Sequence, residues 1–94
     1  MTRFKKDIVA EIAQLLGVPA PPMSTGSTEP KEIFILVSRE LGLGLDTTLS
    51  KPQLARAIVE ADGLAWGAKD ESRGGTVTTD GLDKVAKVVR RLLQ

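Results

Sequence analysis

The sequence predicts a mainly α, compact four-helix domain carrying a short two-strand β patch. Three observations predict it. Apolar residues recur at helical spacing in four segments, each segment is bounded by Pro, Gly or a Ser/Thr cap, and one β-branched run, Thr76 to Thr78, breaks the helical period. With 94 residues, 41% of them hydrophobic and 27% charged, the chain reads as a single domain, 1–94. Such a domain buries roughly 60–65% of its extended-chain surface and folds without a staple. The helices are expected at about 3–16, 29–41, 51–62 and 79–93, with a Pro/Ser-rich loop at 18–28 and a functional loop at 63–78.

The first helix is predicted from Thr2 or Arg3 to Leu16, because Phe4, Ile8, Ile12, Leu15 and Leu16 share one face while Lys5, Lys6, Glu11 and Gln14 occupy the others. Gly17 is the expected stop, with Pro19 just beyond it. The stretch VPAPPMSTGSTE loses all apolar period and reads as a surface loop. The second helix is expected to open near Thr28 or Glu29 with Pro30 in its first turn, and Ile33, Phe34, Leu36, Val37 and Leu41 make it the candidate central helix. Gly42 and Gly44 end it, and the three leucines of Leu43 to Leu49 are expected to tuck inward.

Ser50-Lys51-Pro52-Gln53 places a Ser cap, a first-turn proline and a third-position Gln in register, so the third helix begins at Lys51. Leu54, Ala55, Ile58 and Val59 form its buried side. The last helix starts at Thr78 or Thr79, with Asp80 near its positive end. Its apolar stripe is Leu82, Val85, Ala86, Val89, Leu92 and Leu93. Lys84, Lys87, Arg90 and Arg91 fall on the opposite arc, where basic residues also complement the helix dipole.

Composition removes most catalytic constellations. The chain has no Cys, no His and no Tyr, so neither a thiolate nor a histidine base or zinc ligand is present. Neither a metal nor a cofactor is expected. Thirteen Lys/Arg against twelve Asp/Glu give a net charge of +1, so any polyanion site must be a local patch. No apolar run approaches the ~20 residues that span a bilayer, and acidic residues interrupt the N-terminal segment where a signal peptide would be apolar; a cytoplasmic protein with no membrane partner is expected.

The segment WGAKDESRGGTVTT, Trp66 to Thr79, departs from this helical background and is the candidate functional element. About fifteen residues without helical period are long for a connection in a helical domain. Thr76 to Thr78 are expected to pair with Thr47-Thr48-Leu49, giving a winged helix-turn-helix arrangement with Gly74-Gly75 near the wing tip. The third helix is then a recognition helix. Lys51, Gln53 and Arg56 are outward candidates for groove or phosphate contacts, and Arg73 at the Gly-rich turn is a phosphate contact. Ser72 and Thr76 add neutral hydrogen bonds, and Lys69, Lys84, Lys87 and Arg91 complete the candidate DNA-binding set. For Trp66 two roles are open: covering one end of the core with its indole N–H on a carbonyl, or stacking on a ligand. Asp70, Glu71 and Arg73 can likewise form a local ion pair that shapes the loop.

The stretch KPQLARAIVEADGLAW followed by ESRGGTVTTDGL resembles a module in the N-terminal regions of bacterial restriction-endonuclease-type proteins, a small helical domain ahead of a nuclease; the likeness covers about residues 28–94. Leu49 to Ile58 is also similar in part to the SAP helix-extended-helix DNA-binding motif, with Lys51, Leu54 and Arg56 in the places of its lysine, leucine and arginine. The glycine that usually precedes that lysine is absent, and the arginine stands one residue early. These resemblances imply a non-catalytic accessory or specificity domain that binds double-stranded DNA, in a restriction or DNA-modification-related protein. No nuclease centre is legible: Lys69, Asp70 and Glu71 occur in the wrong order for one. The alternative is a protein-interaction or homodimerisation module, pairing through the first or the last amphipathic helix.

Overall fold

The computed structural model describes residues 4–23 and 28–93. Its α-helices are α1 (Lys5–Leu16), α2 (Lys31–Glu40), α3 (Lys51–Ala61) and α4 (Thr79–Leu92). Between α3 and α4 come a 3-10 turn (Ala68–Asp70) and a two-stranded antiparallel hairpin, β1 (Glu71–Ser72) and β2 (Thr76–Val77). The expected first-helix start at Thr2 or Arg3, and Ser24 to Ser27 of the Pro/Ser-rich loop, lie outside the described residues.

Several helix boundaries have a local cause. Gly17 ends α1 at φ 72°, a left-handed conformation that costs glycine nothing, and Val18 N–H then closes on the Ala13 carbonyl at 3.0 Å. Pro30 stands one residue before α2 in extended conformation rather than inside its first turn, so α2 is shorter than expected and Glu29 is left outside it. At α3 the Ser50 Oγ accepts the Gln53 N–H at 3.3 Å and the Gln53 Oε1 accepts the Ser50 N–H at 2.9 Å, completing the predicted capping box. Thr78 caps α4, its hydroxyl accepting the Gly81 N–H at 3.2 Å.

One core joins all four helices. Ile8 and Ile12 of α1, Ile33, Phe34 and Val37 of α2, Leu54, Ile58 and Val59 of α3, and Leu82, Val85 and Val89 of α4 are all buried in it, together with Val77 of β2. Leu43, Leu45 and Leu49 pack half-buried against it, as their inward tuck required. The centre of the packing is α4 rather than α2: it meets α1, α3, the 3-10 turn and β2, whereas α2 lies against α1 and α3. α4 can take this place because Gly81 lets its first turn approach the loop. A methyl group there would fall against the Asp70 carbonyl oxygen, 2.8 Å from Val77 Cγ1 and 2.9 Å from Trp66 Cη2.

The β pairing differs from the expected one. β2 pairs with β1, with Glu71 opposite Val77 and Ser72 opposite Thr76, and not with Thr47 to Leu49. Gly74 and Gly75, at φ 92° and 78°, reverse the chain within one tight turn, so the near strand is reached first. Asp46 meanwhile turns the 47–49 stretch into a local loop by accepting from both the N–H and the hydroxyl of Thr48, at 2.9 and 2.7 Å. These hydrogen bonds, the side-chain one foremost, hold the Asp46 carboxyl below its ordinary value.

Candidate nucleic-acid interface

The hairpin is positioned by two buried carboxylates. Glu29, in the loop before α2, is fully buried and accepts the Val77 N–H through Oε1 at 2.6 Å. Its Oε2 receives Lys5 Nζ at 3.0 Å, and Lys51 Nζ lies 3.6 Å from Oε1 while donating to the Glu29 carbonyl at 2.9 Å. One side chain therefore ties α1, the start of α3 and β2 together. Burying a carboxylate is costly unless cations and donors surround it, and both are present here.

Asp70 does the same for the loop ahead of β1. It is fully buried, and its Oδ2 accepts Gly67 N–H at 2.9 Å and Lys84 Nζ at 2.7 Å; Oδ1 is buried without a partner among the described residues. Burial pushes its carboxyl up, but the Lys84 and Gly67 hydrogen bonds and the nearby charges of Lys84 and Lys69 together outweigh it. The net direction is down. Lys84 also donates to the Ala65 carbonyl at 2.8 Å, and Thr78 clasps the Lys69 carbonyl through its hydroxyl at 2.7 Å. Trp66 is half-buried against the core, and its indole N–H donates to Glu71 Oε2 at 2.7 Å, a carboxylate in place of the expected carbonyl.

The predicted contact residues are sorted by this scaffold into two groups. Lys51 and Lys84 are corrected as outward cations: both turn back to buried carboxylates, because a long lysine stem reaches from the outer arc of a helix to a charge that must be neutralised. Arg90 binds Glu11 of α1 at 3.0 Å and Arg91 binds Asp62 at 3.2 Å, so the basic arc of α4 is divided among acids from different elements. The local Asp70, Glu71 and Arg73 ion pair does not form among the described residues; Asp70 takes Lys84 instead. Gln53 commits its Oε1 to the cap of α3. Ser72 and Thr76 hydroxyls bond each other across the hairpin.

Among the predicted contact residues, Arg73 on the hairpin turn, Lys69 on the 3-10 turn and Lys87 on α4 are exposed, and Arg56 on α3 is exposed while paired with Glu60 at 3.2 Å. Neither Lys69 nor Arg73 forms an ion pair among the described residues. A shallow depression lined by Ala68, Glu71, Ser72 and Arg73 adjoins the turn. Sequence reasoning missed Glu29 altogether, since no local pattern marks a loop carboxylate whose partners lie 24 positions before it and 22 and 48 after it.

Among the described residues no group of three or more acidic side chains is arranged to hold a metal ion, and no helix is long and apolar enough to cross a membrane. Comparison with known proteins found no matching family model, no matching curated protein and no matching solved structure.

Proposed function

We propose that this chain is a non-catalytic DNA-binding domain of accessory or specificity type, acting in a restriction or DNA-modification-related protein. The observation that carries the reading is the succession of a capped, solvent-faced helix α3 and a hairpin whose second strand packs against α3 and α4 and whose turn presents Arg73 beside Gly74 and Gly75. In a winged-helix-like reading, α3 enters the major groove and the turn rests on a phosphate strand. The glycines leave room for the backbone to approach, and Arg73 supplies the charge. Lys69 and Lys87 are the further phosphate contacts. The SAP-like reading of the same segment gives Arg56 the exposed role and leaves Lys51 to the interior.

With so few uncommitted cations the interface neutralises two or three phosphates. The logarithm of the binding constant then falls against the logarithm of salt concentration with a slope of about −2 to −3. Anisotropy titration of a labelled duplex between low and physiological salt measures it. A slope near zero, or no binding at tens of micromolar protein, rejects the reading.

A second reading, a protein-interaction or homodimerisation module, is favoured by the exposed apolar side chains of Phe4 at the start of α1 (65% exposed) and Leu92 and Leu93 at the end of α4 (44% and 46%). Sedimentation velocity at two salt concentrations separates the two. A salt-insensitive dimer without affinity for duplex favours the second reading.

A further inference from the structure

Resting on the DNA-binding reading, we infer that Glu60 is a positioning residue that holds Arg56 for recognition of a guanine edge, making the Arg56–Glu60 pair the specificity element of α3. The two side chains lie one turn apart on the solvent face, with Arg56 Nε donating to Glu60 Oε2 at 3.2 Å and the Arg56 side chain 61% exposed. The opposite face is fully committed to the core through Leu54, Ala55, Ile58 and Val59.

Helix stability accounts for little of this pair. A glutamate in the last turn faces the negative end of the helix dipole, and an acid four residues after a base is the poorer order for a helical ion pair. The first placement disfavours Glu60 and the second makes the pair a weak contributor to the helix. What the pair provides is geometry: a guanidinium has five donors in a planar fork, and tethering it through Nε restrains the side chain while the terminal amino groups stay in solvent. Those terminal donors match the O6 and N7 acceptors of guanine in the major groove. Ala57 and Ala61 adjoin the pair and keep its flanks small beside a groove about 12 Å wide.

Glu60 also repels phosphate. It therefore lowers affinity for any duplex while sharpening the preference for one base, and this double effect distinguishes a positioning residue from a surface ion pair. Arg56→Lys keeps the charge and loses the fork.

The test is selection from a random 20-base-pair duplex pool by the full chain, followed by sequencing, together with anisotropy titration of a fixed duplex. The parent chain is expected to enrich guanine at one position on the order of ten-fold. Glu60→Ala, which removes the acceptor, is expected to bind the fixed duplex as tightly as the parent or a few-fold tighter, to melt at the same or a slightly higher temperature, and to lose most of the guanine enrichment. Arg56→Lys is expected to keep the salt slope and lose the enrichment. An enrichment unchanged in Glu60→Ala, or absent from a parent that binds duplex, overturns the inference and leaves the DNA-binding reading standing. A parent that binds no duplex overturns both.

Discussion

At Glu29 one carboxylate holds the Val77 amide between the ammonium groups of Lys5 and Lys51. Glu29→Ala leaves a buried N–H and two inward lysines without their counter-charge. Because both lysines keep some water, the expected loss is about 3 kcal/mol, toward the lower end for a broken buried pair. Urea denaturation followed by helical circular dichroism checks it, and a loss below about 1 kcal/mol contradicts the role given to Glu29. Gly81→Ala is a second residue-scale test. Alanine is the better helix former by about 1 kcal/mol, yet here its methyl meets the Asp70 carbonyl, Val77 and Trp66. A net destabilisation of about 1–3 kcal/mol is expected, with a shifted Trp66 emission. A more stable variant contradicts the close approach.

Asp70 sets the acid limb of stability. Its carboxyl is held below the ordinary value of 3.8 in the folded chain, so the folded state binds fewer protons than the unfolded state as pH falls. The stability it contributes is complete above the ordinary carboxylate range and disappears as pH drops through the lowered value, below about pH 4. Asp70→Asn is expected to be less stable at neutral pH and to show a shallower loss between pH 5 and pH 2. Denaturant midpoints measured across that range check both, and parallel curves for the two proteins contradict the assignment.

At the scale of elements, what the sequence discloses depends on how local the cause is. The capping box of α3 and the Thr78 cap of α4 involve neighbours three residues apart, and both form where the residue pattern puts them. Ser50→Ala is accordingly expected to cost about 1 kcal/mol, read from a thermal melt. The hairpin was legible as a glycine turn but not as a pair of strands. Two residues per strand carry no alternation, and the Asp46 turn that removes 47–49 from pairing competes invisibly in the sequence. A β-branched residue at Gly75 tests the turn: at φ 78° Gly75→Val is expected to cost about 1–2 kcal/mol while leaving the helical signal intact. Least legible were the lysines. Helical spacing assigns Lys51 and Lys84 to the outer arc correctly, yet their ammonium groups end at Glu29 and Asp70, and only the folded chain reveals that those acids are buried.

For the whole molecule, a net charge of +1 and the pairing of Lys51, Arg56, Lys84, Arg90 and Arg91 with acids leave few unpaired cations among the described residues, Lys6, Lys69, Arg73 and Lys87 among them. On the proposed DNA-binding reading, so few cations give weak, salt-sensitive binding. The apolar side chains left exposed at Phe4, Leu92 and Leu93 are the surface on which the proposed interaction-module reading rests. The most direct measurement compares the salt dependence of duplex binding for the parent chain and Arg73→Ala by fluorescence anisotropy. A parent slope of about −2 to −3 is expected, shallower by about 0.9 in the variant. Identical slopes, or no duplex binding by the parent at low salt, contradict it.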